Sequence, residues 1–81
     1  MNFFDERMEL KKKDLKNKEI LNSILKTRAD LNSNINNYEY AENELIDFFL
    51  YQIKANKAKL DYLLKLAKEN KIEVRKIENI K

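Results

Sequence analysis

The 81-residue chain contains no glycine and no proline, and no other feature narrows its conformational choices so far. Without glycine the backbone has no residue that adopts a positive φ at low cost, and without proline nothing forces a helix to stop. Turns must be few, and they must be built from asparagine, which tolerates the left-handed region and competes for backbone hydrogen bonds. Lys, Leu, Glu, Ile and Ala dominate the remainder, and apolar residues recur at spacings of three and four. The expected fold is all-α: an antiparallel two-helix hairpin, a single domain over residues 1–81, dimerising into a four-helix bundle.

The first helix is expected over about residues 5–34, with Leu10, Leu21, Ile24, Leu25, Leu31 and Ile35 on one side and Arg28 within that stripe. A weaker line of Phe4, Met8 and Leu15 lies apart from it, interrupted by Lys11. The run "NSNINN" from Asn32 to Asn37 is the expected site of the turn, set at 35–42. The second helix is expected over about 43–71, where "ENE" offers Asn43 as a capping side chain and acids for the first turn. The tail 72–81 alternates between helical and strand spacing and reads as a frayed helical extension.

The second helix is apolar on two faces. Ile46, Phe49, Ile53, Leu60, Leu63, Leu64 and Ala67 form the first; Phe48, Tyr51, Ala55, Ala58 and Tyr62 form the second, roughly opposite. Asp47, Lys54, Lys57, Asp61, Lys65 and Lys68 fill one strip between them, and Gln52 and Lys59 the other. One helix covers one face of another, so the second face calls for a further partner. Leaving Phe48, Tyr51 and Tyr62 wet would forgo roughly 1.5–3 kcal/mol for each well-buried aromatic. A second copy is the economical occupant, with Ala55 and Ala58 permitting close helix approach. A helix from another protein is the rival occupant, and a bent three-helix monomer the alternative fold. Asn56 and Asn70 at d-type positions are expected to set register, and Arg28 to set register or snorkel.

With no histidine and no cysteine, the usual general base, the most easily activated nucleophile and the common zinc ligand sets are missing. With no glycine there is no phosphate-cradling loop. No catalytic residue, cofactor or metal site is expected. Glu44 and Asp47 share one turn and could serve as an acid–base pair or hold Mg²⁺, but complementing the helix dipole explains them without chemistry. No apolar stretch approaches the roughly 20 residues that span a membrane, and the start "MNFFDERMEL" is acidic where a secretory leader is basic. The chain reads as cytoplasmic, without membrane insertion.

Charge is segregated. Residues 1–33 hold eight basic and six acidic side chains, 34–53 none and four, and 54–81 nine and four. In an antiparallel hairpin Lys11, Lys12, Lys13, Lys16 and Lys18 are expected to lie beside Lys65, Lys68, Lys71, Arg75 and Lys76, making one pole basic and the turn pole acidic. That pole is the candidate anion-binding surface, and nucleic acid is the alternative partner, although no aromatic interleaves with the lysines.

From Asn37 to Ile72, Leu45-Ile46-Asp47, Leu50-Tyr51, Ile53-Lys54-Ala55, Ala58, Tyr62-Leu63-Leu64, Ala67-Lys68 and Asn70-Lys71-Ile72 follow one another in an order that resembles the core of the YaaL-like family of small bacterial proteins. The turn residues Ala41-Glu42-Asn43 and Leu60 depart from that pattern. The resemblance implies a cytosolic protein of spore-forming or related lineages with no known activity and no catalytic residues to carry over. Genes of the family often neighbour recombination and sporulation genes, which is consistent with a DNA-linked role. A lesser similarity, to helical-hairpin phosphatases acting on sporulation regulators, rests on Leu60-Asp61 and ends there, since Asn56 stands where their signature has serine.

Overall fold

Two helices account for the described chain, α1 (Phe3–Glu39) and α2 (Glu44–Glu69), joined by residues 40–43 and packed against each other. The structure is a computed structural model that describes the backbone of residues 3–73 and the side chains of residues 12–73; among these there is no strand. At 1.5 Å per residue α1 alone is about 55 Å long, which accounts for the elongated shape of 62 × 23 × 15 Å. The N-terminal helix predicted from residue 5 is therefore present, and it is longer than predicted at both ends.

The seam is a heptad repeat on both sides. On α1 it runs through Asn17, Ile20, Ile24, Thr27, Leu31 and Asn34; on α2 through Phe49, Ile53, Asn56, Leu60, Leu63, Ala67 and Asn70. Ile20, Ile24, Leu63 and Ala67 are buried and form the core, with Thr27 buried among them; Leu21, Leu60, Leu64, Leu66 and Ile72 pack around it. Near the turn, Asn34 Nδ2 donates to Asn56 Oδ1 at 2.8 Å across the interface. A paired amide within the seam favours one alignment, because a slip would strand both groups without partners. Asn56 thus lies in the seam with a cross-helix partner, the placement that a register-setting role requires.

The predicted turn was misplaced. Asn32 to Asn37 lie inside α1, which continues to Glu39. Asparagine is only mildly unfavourable in a helix, and here Asn34 pairs with Asn56 while Leu31 is half-buried. Cross-helix packing outweighs local turn preference. The chain reverses instead at 40–43. Tyr40 N–H and Ala41 N–H donate to the carbonyls of Asn37 and Tyr38, tightening the last turn of α1. Leu45 N–H then donates to Glu42 O across a turn whose second residue, Asn43, has φ 55° and ψ −130°. Those dihedrals match the first central position of a type II′ turn, which glycine prefers. Asn43 occupies the N-cap position as predicted, yet its side chain makes no capping hydrogen bond.

The C-terminus of α2 is a Schellman motif. Lys71 N–H donates to Lys68 O and Ile72 N–H to Ala67 O, with Lys71 at φ 58°, and Ile72 folds back onto the core. Asn70, expected to set register, instead donates its side-chain amide to Leu66 O at 2.8 Å, adding to the cap. The helix ends at Glu69 rather than 71, and residues 72 and 73 are not a helical extension; the rest of the predicted frayed tail lies outside the described residues.

Asn43 and Lys71, the non-glycine residues with positive φ among those described, each strained by about 1 kcal/mol or more, make a direct prediction. Asn43→Gly and Lys71→Gly should each raise stability by about 0.5–1 kcal/mol in thermal circular dichroism, reversing the usual effect of glycine. The seam makes a second: Asn34→Ala should destabilise by about 1–3 kcal/mol by orphaning Asn56. Replacing both asparagines with leucine should restore or exceed wild-type stability in guanidinium melts while broadening amide NMR resonances through register exchange.

Candidate partner-binding face

"IDFFLYQI", residues 46–53, crosses α2 from its buried face to its open one. Phe49, Leu50 and Ile53 are half-buried, Phe49 and Ile53 in the seam, whereas Phe48 is 50% and Tyr51 71% exposed. The Phe48 and Phe49 rings meet edge to face at 5.0 Å and 77°, so the exposed ring is held by a neighbour fixed in the seam. Further along, Ala55 and Ala58 are exposed and Tyr62 is 63% exposed. All five residues predicted for the second apolar face are thus on the surface of the hairpin. Leu45 extends that apolar surface at the turn end of α2.

The first face behaves as expected for the α1 contact, with Leu63 and Ala67 buried, Phe49, Ile53, Leu60 and Leu64 half-buried, and Ile46 at its exposed rim. The strip of Asp47, Lys54, Lys57, Asp61, Lys65 and Lys68 is exposed throughout. On α1 the expected stripe is right in part: Ile24 is fully buried and Leu31 lies in the seam, while the side chains of Leu10, Phe4 and Met8 lie outside the described residues. Leu21, Leu25, Arg28 and Leu31 are half-buried and Ile35 lies at the rim, while Ile20 and Thr27 are among the most buried residues. The missed signal is the three–four spacing of Asn17, Ile20, Ile24, Thr27, Leu31 and Asn34, half of which are polar.

The basic residues divide. Lys13, Lys16, Lys18, Lys65, Lys68 and Lys71 are exposed, as is Lys12; the Lys11 side chain, Arg75 and Lys76 lie outside the described residues. With Asn34 opposite Asn56, Lys65 and Lys68 fall level with about Leu25 and Asn22, so lysines 11–16 are displaced from them by roughly 10–20 Å along the axis. Lys71, level with about Glu19, lies nearest Lys18, so the described lysines are strung along the axis at this end. Leu15, of the weaker apolar line, is 61% exposed on this segment. Glu39, Glu42, Glu44 and Asp47 surround the turn and are exposed.

No group of three or more His, Cys, Asp or Glu among the described residues could hold a metal ion. Nor is any helix there long and apolar enough to cross a membrane. What the hairpin presents is therefore a surface: an aromatic-and-alanine stripe bordered by charge. Residues 2–74 match the family described as "Protein of unknown function (DUF2508)", and the chain belongs to it. YaaL-like is the other name of that family. No curated protein and no solved structure matches the chain.

Proposed function

We propose that this protein is a non-catalytic helical interaction module of the cytoplasm that self-associates through Phe48, Tyr51, Ala55, Ala58 and Tyr62, two hairpins forming a four-helix bundle. The carrying observation is that these five residues are exposed and yet spaced three, four, three and four, as a helix–helix contact requires. Chance exposure of single apolar residues is common, but an aligned stripe rimmed by charge is the signature of an interface. The small two-helix core adds a reason, because a chain of this size gains little stability from its own burial.

The test is molar mass by sedimentation equilibrium over a concentration series. Wild type is expected to dimerise, and Tyr51→Glu or Ala58→Glu to shift it to monomer while the helical circular dichroism persists, since neither residue is in the α1 seam. If both variants keep the wild-type mass, the reading fails.

The basic end supports a second reading, an accessory role on nucleic acid, because Lys13, Lys16 and Lys18 are exposed within one short stretch of α1. Replacing Lys11, Lys12 and Lys13 with Gln should weaken binding to duplex DNA about tenfold or more at 50 mM salt and reduce the salt slope by up to three contacts. Absence of wild-type binding at that ionic strength would exclude it.

A further inference from the structure

The charges that border the aromatic face select the orientation and register of its occupant. Phe48, Ala55 and Tyr62 occupy a positions of a second heptad on α2, and Tyr51, Ala58 and Lys65 its d positions. The residues immediately before the a positions, and one heptad beyond, are Asp47, Lys54, Asp61 and Lys68: all exposed, seven apart, alternating in sign. At about 100° per residue this strip lies on the side of the face turned away from the α1 seam. The opposite flank, toward α1, carries Leu45, Gln52, Lys59 and Leu66, half of them apolar.

We propose, building on the self-association above, that the occupant is a second copy whose α2 runs antiparallel, with the two-fold axis level with the Asn56–Lys57 bond. That register stacks a positions on d positions. Ala55 meets Ala58 of the second copy at the centre, where two small side chains let the backbones approach. Tyr51 meets Tyr62 on either side, and at each end the Lys65 stem covers Phe48 with its ammonium near the ring. The outer strips then face each other in opposite sign: Asp47 against Lys68 and Lys54 against Asp61, each pair made twice by symmetry. On the inner flank Leu45 meets Leu66.

The alternatives are disfavoured by the same residues. The neighbouring antiparallel registers that stack a on d centre on Ile53, which opposes Lys54 to Lys54 and Asp47 to Asp61, and on Leu60, which opposes Asp61 to Asp61 and Lys54 to Lys68. A parallel pair opposes Lys54 to Lys59, and none of its flanking pairs attract. Area is adequate as well. Leu45, Phe48, Tyr51 and Tyr62 are each at least half exposed, which at 150–250 Å² for a buried aromatic gives on the order of 500 Å² per copy. Alanines and lysine stems would bring this toward the roughly 800 Å² per partner of a standard interface.

The experiment is a charge exchange on the full chain, read by sedimentation equilibrium at low salt. Lys54→Asp and Asp61→Lys, each alone, turn two attractive contacts repulsive and should weaken dimerisation on the order of tenfold. An equimolar mixture of the two variants should regain wild-type affinity as a heterodimer, and the double variant should regain it as a homodimer. Single variants that dimerise as tightly as wild type, or a mixture without recovery, would overturn this register while leaving self-association intact. A wild-type chain that stays monomeric would overturn both.

Discussion

A helix can cover only one stripe of its neighbour, and among the described residues no third element is present to cover another. Every consequence here follows from that limit meeting an α2 with two apolar stripes. The stripe through Phe49, Ile53, Leu60, Leu63 and Ala67 is taken by α1. The stripe through Phe48, Tyr51 and Tyr62 is left exposed, and no rearrangement within the described hairpin covers both. Rotating α2 to bury the second would expose the first and break the Asn34–Asn56 contact. The open face is therefore a property of the pattern itself, present whenever the hairpin is folded.

The same limit explains the composition of the seam. Burying large side chains in every layer would make a stronger hairpin, yet one layer pairs Asn34 with Asn56, and Thr27 sits in the core. These polar groups give up hydrophobic free energy and in return fix one alignment. That alignment matters beyond the hairpin. It decides which part of α1 runs past the end of α2, and it holds Phe49, whose ring meets that of Phe48 on the exposed face. A hairpin free to slip would present a less defined surface to any partner.

How much of this was legible in the sequence depended on which physical signal each element gave. The two faces of α2 could be read because their residues are almost all apolar or aromatic and their spacing is regular. The seam of α1 was legible only in part, at Ile24 and Leu31, because Asn17, Thr27 and Asn34 occupy three of its positions and apolar periodicity passes over them. The turn was displaced for a related reason: the asparagines of residues 32–37 look like a break locally, and only contacts with α2 reveal that they continue the helix. Asn43 was picked for its side chain and serves through its backbone. With no glycine available, the two positions of positive φ among the described residues fall to Asn43 and Lys71, and nothing about a lysine announces a helix terminator.

Those two strained positions bear on why a small hairpin should also be a module for association. Each holds backbone strain of about 1 kcal/mol or more, against a core of three large aliphatic side chains, one alanine and one threonine. Single domains of this size have little stability to spare. In the proposed dimer, association would stabilise the folded form by mass action, since a second copy would bind the hairpin and find no comparable surface in the unfolded chain. A face on α2 that requires α2 to be helical and fixed against α1 therefore links the two equilibria. Strain that is costly in an isolated hairpin would be tolerable in the proposed dimer, where folding and assembly would depend on the same helix.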